Sequence, residues 1–163
     1  YPRYFSAFLS CNEAHKTASG SKKPTGAWCR KCSKCLFVFA SLYAFLEKSQ
    51  VIKIFGSNLF EDQTLVPLME ELVGARKFKP FECVGTTKES LAAFYLSLKK
   101  THPPLPVLLK HFRQRIAPPS LKLRRAGKKH PDLYQSSKKI MSSWDTQHAI
   151  PLNLEKRLKS VLD

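Results

Sequence analysis

Apolar residues recur at three- and four-residue steps in several stretches of the chain, which is the spacing of one helix face. The clearest stretch, 36–46, is apolar on nearly all sides, and such a helix is usually buried. The other predicted helices run from Thr64 to Gly74, from Thr86 to about Leu98, from Val107 to Ile116 and from Leu152 to Leu162. Thr86 begins its helix in a capping box, because a glutamate follows it three positions later.

Three segments have patterns that favour an extended backbone. Tyr1–Leu9 alternates loosely between polar and aromatic residues, and Val51–Phe55 is a short apolar run followed by a glycine turn. Lys79–Gly85 contains proline and is also predicted to be extended. The chain is therefore predicted to have an α/β fold that is mostly helical.

The composition of the chain changes near residue 98. Residues 1–98 hold the strongest periodic patterns, whereas 99–163 begins with a stretch dominated by proline, lysine and arginine. We therefore predict a cysteine-containing α/β lobe at 1–98 and a basic, proline-containing carboxyl-terminal segment at 99–163. The chain begins at Tyr1 without methionine, and its first residues resemble the interior of a fold, so we expect the carboxyl-terminal part of a longer protein.

The charge of the chain narrows the partners to be considered. Its 28 basic and 12 acidic residues give a net charge of +16, which favours nucleic acid, phosphorylated metabolites or acidic membranes, although a solvated basic surface would look the same. The longest apolar run, Leu36–Leu46, is shorter than the roughly 20 residues that a membrane-spanning helix needs. No membrane-spanning helix is therefore predicted, and a membrane is not among the predicted partners.

A group of cysteines carries the most specific chemical signal. Cys29, Cys32 and Cys35 stand three residues apart, and Cys11 lies upstream across a polar loop long enough to bring it back beside them. Four thiolates complete the tetrahedral shell of one zinc ion and leave no position for water, so the predicted site is structural. An iron–sulfur cluster also takes four thiolates, and unligated buried cysteines are the remaining alternative.

Cysteine usage also indicates the compartment. The five cysteines are an odd number, and three of them form one tight run, whereas a secreted disulfide scaffold usually spreads an even set over a shorter chain. A reducing, cytoplasmic environment with metal-bound thiolates is therefore predicted. His15 is a possible substitute ligand, although a single histidine in a polar loop is more often solvated.

Several short blocks of the sequence form a recognisable set. The blocks are Ser10–Asn12, Trp28-Cys29 with Cys32–Phe39, Ile54–Gly56 and Lys79–Thr86. They resemble the UDP-N-acetylmuramoyl-L-alanyl-L-glutamate epimerase family, over roughly Phe5 to Leu98. That family commonly has glycine after the first cysteine of the triplet, where this chain has Arg30. A related four-cysteine arrangement occurs in cyano-deazaguanine synthases, so the resemblance implies an ATP-pyrophosphatase-like enzyme with a structural zinc.

The resemblance also implies a reaction, in which ATP and Mg²⁺ activate the α-carboxylate of the terminal L-glutamate on a UDP-sugar peptide. A base then removes the acidified α proton, a proton returns on the other face, and hydrolysis releases the D-glutamate product with AMP and diphosphate. Such an enzyme would serve peptidoglycan biosynthesis, cell wall biogenesis and cell shape. The chain contains no glycine-rich phosphate loop, so we expect ATP and Mg²⁺ to bind mainly to a preceding part and the 163 residues alone to be inactive.

Candidate residues for that chemistry lie near residue 85 and in the basic tail. Glu82 and Cys83 precede a helix start, where a carboxylate or thiolate could move the α proton, although a surface acid and a core cysteine are the plainer interpretation. The candidates for binding anionic parts of the substrate are Thr86 and Thr87 at the helix start, and Arg124 and Arg125 in the tail.

The charge and the cysteines also support a second function class, a zinc-stabilised nucleic-acid-binding module. Two features of the sequence count against it. Aromatic residues do not interleave with the basic residues of 99–139, as base stacking would require, and the cysteine triplet leads into an apolar helix unsuited to a groove.

Overall fold

In the computed structural model, which describes residues 2–5, 7–15, 26–78, 84–117 and 132–162, the regular structure is helical, and these residues form no strand. The helices are α1 (Asn12–His15), α2 (Ser33–Phe45), α3 (Lys48–Phe55), α4 (Val66–Leu72), α5 (Thr87–Lys100), α6 (Val107–His111), α7 (Leu133–Met141) and α8 (Leu152–Leu162). Short 3-10 turns occur at Pro2–Tyr4, Leu59–Glu61 and Gln63–Leu65, and a π-helical turn, Phe112–Ile116, continues α6. The mostly helical prediction is confirmed, whereas the strand component is wrong for the described residues.

The predicted strand Val51–Phe55 is wrong, because these residues form the second half of α3. Glu47 and Gln50 make a capping box that begins the helix one turn earlier. Val51 and Phe55 are both buried and stand four residues apart, so they share one helix face. A five-residue apolar run fits either period; the cap upstream favours the helix, and burial of one helix face in the core decides between them.

The predicted strand Tyr1–Leu9 is also wrong in its described part, where Pro2–Tyr4 forms a 3-10 turn. Phe8 is held by a side-chain contact instead of a ladder, because the indole Nε1 of Trp28 donates a hydrogen bond to its carbonyl at 3.2 Å. Most of the predicted extended segment, 79–83, lies outside the described residues.

The other predicted helices are confirmed, with two changes at their ends. Asp62, rather than Thr64, accepts the capping hydrogen bond, and a 3-10 turn precedes α4. Gly74 follows α4 with φ of +73°, a left-handed conformation that suits glycine. Helix α7 was not predicted; it begins at Asp132, whose carboxylate accepts hydrogen bonds from two backbone amides of its first turn.

The core is built around α2. Phe39 of α2 contacts Phe55 and Phe60 edge-on, with ring centroids 5.1 and 4.9 Å apart. Helix α5 crosses α2 closely enough for the buried Ser97 hydroxyl to donate to the Ala40 carbonyl at 3.1 Å. Helix α5 also packs against α7.

Helix α6 and the π-helical turn belong to this same core. The ring of Phe112 stacks on that of Phe94 in α5 at 5.6 Å, and both side chains are fully buried. Residues on both sides of position 98 therefore pack together, and the proposed division into 1–98 and 99–163 remains a prediction. Within the described ranges, no helix combines the length and apolar character that crossing a membrane requires.

Candidate metal centre

The sulfur atoms of the four predicted ligands converge on one point. The Sγ atoms of Cys11, Cys29, Cys32 and Cys35 all lie within 4.8 Å of one another. Cys11 and Cys35 are fully buried, whereas Cys29 and Cys32 are partly exposed, so the group lies at the edge of the core. The fold thus brings together cysteines that are up to 24 positions apart in the sequence.

Backbone amides turn toward these sulfur atoms. The amide of Cys29 donates to Cys11 Sγ at 3.4 Å, and the amide of Cys35 donates to Cys32 Sγ at 3.4 Å, where Cys32 caps α2. Lys31 donates from its amide to Cys29 Sγ at 3.5 Å. Amide donors favour the ionised form of a thiol, which is the form that binds metals.

The spacing of the sulfurs fits a tetrahedral metal ion. Cys29 Sγ and Cys35 Sγ are 3.7 Å apart. In a regular tetrahedron with metal–sulfur bonds of about 2.3 Å, neighbouring sulfurs are about 3.8 Å apart. A disulfide would need about 2.05 Å, and all four thiols are free. The donor set could therefore hold one thiophilic ion.

The pKa values of the clustered thiols depend on one another. The hydrogen bond from the Cys35 thiol lowers the pKa of Cys32 to about 5. The same contact is the larger cause, and burial the smaller one, of a raised pKa of Cys35. Burial also raises the pKa of Cys29. The first thiolate thus forms easily and suppresses the ionisation of its neighbours. A positive charge among the sulfurs would stabilise several thiolates together.

Two further contacts fix the site against the core, and the sequence analysis missed both. The buried ring of Trp28 lies between Phe8 and Phe55, at centroid distances of 5.5 and 4.3 Å. Lys34 Nζ donates to Asn12 Oδ1 at 3.3 Å, which joins α1 to α2. The tryptophan directly before the first cysteine of the triplet was the available signal, because a large aromatic beside a metal loop usually anchors it in the core.

The remaining candidates are only partly described. Glu82, Cys83, Arg124 and Arg125 lie outside the described residues, as does the side chain of His15. Their proposed roles remain predictions.

Thr86 and Thr87 lie at the start of α5, as predicted, but Thr86 is already engaged. Its amide donates to the Glu89 carboxylate at 2.6 Å, and its hydroxyl accepts from the Glu89 amide at 3.2 Å. Thr87 lies beside Gly74, where an added Cβ would be 2.7 Å from its methyl group. An anion at this helix start would have to displace the carboxylate of Glu89, so substrate binding by both threonines stays a prediction.

Comparison with known proteins follows the cysteine region. The model of the MurL C-terminal domain family matches residues 7–125, which include all four clustered cysteines. The chain belongs to this family. The resemblance seen in the sequence is thereby confirmed for its carboxyl-terminal portion. The nucleic-acid alternative finds no support in the matches.

Three relatives carry the name UDP-N-acetyl-alpha-D-muramoyl-L-alanyl-L-glutamate epimerase. The protein from Micromonospora sp. is 43% identical over 94 residues, or 58% of this chain and 20% of the relative. The Salinispora tropica protein is 40% identical over 93 residues, 57% of this chain and 20% of the relative. The Xanthomonas oryzae pv. oryzae protein is 34% identical over 116 residues, 71% of this chain and 25% of the relative.

The chain thus spans a fifth to a quarter of the length of these relatives. No solved structure matches it.

Proposed function

We propose that this chain is the carboxyl-terminal part of an ATP-dependent epimerase. The enzyme would convert the terminal L-glutamate of UDP-N-acetylmuramoyl-L-alanyl-L-glutamate to D-glutamate during peptidoglycan precursor synthesis in the cytoplasm. The observation that carries the proposal is the family match over residues 7–125, together with three relatives of that name. The ATP-pyrophosphatase-like fold, ATP and Mg²⁺ would belong mainly to a preceding part of the enzyme.

The four-cysteine group would hold zinc in a structural role, with an iron–sulfur cluster as the alternative. Cys11, Cys29, Cys32 and Cys35 supply a closed set of four sulfurs, so no open coordination position is expected for substrate. When bound, the ion would cross-link the segment around Cys11 to the first turn of α2. That cross-link would stabilise the surface formed by the amino-terminal segment and the core.

Glu82 and Cys83 are proposed for the proton-transfer step. Activation of the α-carboxylate would acidify the α C–H bond, and one of the two groups would accept that proton while the bonding electrons move toward the activated carbonyl. Return of a proton to the opposite face inverts the centre. A position between the end of α4 and the start of α5 supports this role, because functional groups concentrate in such connections.

The proposed function is tested with the whole enzyme that contains this chain. The enzyme would be incubated with the UDP-linked L-alanyl-L-glutamate substrate, ATP and Mg²⁺, and the glutamate would be hydrolysed and separated by chirality. We expect D-glutamate to accumulate with one diphosphate released per inversion. Diphosphate release without D-glutamate, or no reaction, would contradict the proposal. The 163 residues alone should release no diphosphate.

Variants of the whole enzyme test the proton-transfer step separately. Glu82→Gln and Cys83→Ser should lower deuterium incorporation at the α carbon in D₂O by about 10²-fold or more, the usual scale for a lost general base. Diphosphate release should fall much less, because activation precedes proton transfer. Glu61→Gln, which changes an exposed glutamate in a 3-10 turn, is the control and should leave both rates unchanged. Exchange at the wild-type rate in both variants would exclude the pair.

A further inference from the structure

A cleft of about 220 Å³ lies far along α2 from the cysteine group. It opens where the end of α2 meets the start of α3 and the end of α5. Its walls include Tyr43, Lys48, Lys100 and His102, with prolines of the following turn on one side. Nothing in the proposed metal site or proton-transfer step uses these groups.

The hydroxyl of Tyr43 is the fixed polar group of this cleft. Its ring is held in the core by Phe39 and Phe60, at centroid distances of 5.8 and 4.9 Å, and only 3% of the residue is exposed. The hydroxyl makes no hydrogen bond with any described residue. Its oxygen is not fully sealed from solvent. Tyr43 is one of the residues that line the cleft, and packing against Phe39 and Phe60 fixes the orientation of its ring.

Positively charged side chains line the same cleft. Lys48 and His102 are exposed and have no hydrogen bond or ion pair with the described part of the chain. Lys100 donates to the Leu46 carbonyl at 2.5 Å, which holds its ammonium group at the end of α2. The cleft also contains Glu47, whose carboxylate is used by the capping box of α3. The two lysines exceed this one acid, so the cleft is positive even with a neutral histidine.

We propose that this cleft binds an oxyanion, a phosphate or a carboxylate, through Tyr43, Lys48 and His102. A phenol hydroxyl and an ammonium group donate hydrogen bonds and offer no anionic acceptor, which matches an oxyanion and disfavours a metal cation. The site concerns binding alone and does not depend on the proposed epimerase activity. Both anion types could come from one nucleotide-linked peptide, so the test uses each separately.

The test is calorimetric titration of the zinc-loaded 163-residue chain at 150 mM salt. The probes are diphosphate and UDP for the phosphate source, and L-alanyl-L-glutamate for the carboxylate source. At least one probe should bind, and Tyr43→Phe, which keeps the packed ring, should weaken it about tenfold, as expected for a lost hydrogen bond to a charged group. Lys48→Gln should weaken it by a similar factor.

Lys53→Gln is the matched control, because Lys53 is exposed on the same helix, outside the cleft, and its loss changes the net charge equally. It should change the affinity less than twofold. Equal effects of Lys48→Gln and Lys53→Gln would show that anions bind only to the general positive field, which overturns the proposal. No binding of any probe, or unchanged binding to Tyr43→Phe, would also overturn it.

Discussion

Replacing Arg30 with glycine should stabilise the protein, because the backbone at this position suits glycine better. Arg30 has φ of +63°, and it is the one non-glycine residue with positive φ in the described part of the chain. It lies directly after Cys29, in the turn between Cys29 and Cys32. Glycine adopts this left-handed conformation readily, whereas arginine holds it here at the cost of strain.

The size of the effect follows from two opposing terms. A left-handed conformation costs a residue with a Cβ about 1–2 kcal/mol, and Arg30→Gly removes that strain. Glycine loses more backbone entropy on folding, which lowers the free energy of unfolding of the variant by about 0.5–1 kcal/mol. The Arg30 side chain is exposed, and its guanidinium lies near Gly56 without a hydrogen bond to any described residue, so its loss should cost little. The net stabilisation should be about 0.5–1 kcal/mol.

Urea denaturation at a fixed free zinc concentration measures this difference, since metal binding would otherwise change the apparent stability. For a chain of 163 residues, each kcal/mol should also raise Tm by about 2–4 °C. Arg30→Ala is the matched control, because it removes the same side chain but keeps the Cβ. Stabilisation by alanine equal to that by glycine, or destabilisation by glycine, would refute the argument from backbone strain.

Three other changes probe the metal site, a close packing contact and a surface ion pair. Cys35→Ser should lower the metal content from about one zinc per chain to well below one, as measured by elemental analysis. Cys83→Ser is the control and should retain the metal. Finding neither zinc nor iron in the unaltered protein would contradict the site. Gly85→Ala should lower the free energy of unfolding, measured by urea denaturation, by about 1–3 kcal/mol, because its Cβ would lie 2.4 Å from a ring carbon of Phe37 in α2. An unchanged midpoint would mean that the Phe37 ring moves freely. The hydrogen bond from Arg76 lowers the pKa of Glu70 in the folded protein. The ionised carboxylate therefore stabilises the fold fully above the pKa of Glu70 in the unfolded chain, about 4.3. This stabilisation is lost as the pH falls through the lower pKa of the folded protein. Glu70→Gln should therefore be less stable by under about 1 kcal/mol at pH 7, with the difference closing below pH of about 4; a difference independent of pH would exclude ionisation as its cause.

The sequence by itself determined the cysteine group and most of the helices. The spacing of Cys29, Cys32 and Cys35, with one more cysteine across a loop, specifies a four-sulfur set because few other arrangements explain such a run. Thr86 and Glu89 specified the start of α5 because a capping box is completed within four residues. Both signals are local, so they can be recognised without knowing what the rest of the chain contacts.

Tertiary structure decided the features that depend on distant partners. Val51–Phe55 is helical because the core accepts one helix face there, and a run of five apolar residues does not specify its own period. In the sequence Tyr43 looks like an ordinary core aromatic residue. Its hydroxyl becomes a candidate anion-binding group only because α2, α3 and α5 meet at the cleft. Such a site joins groups from separate helices, and the packing of those helices, which sets their distances, is not encoded in any single stretch of sequence.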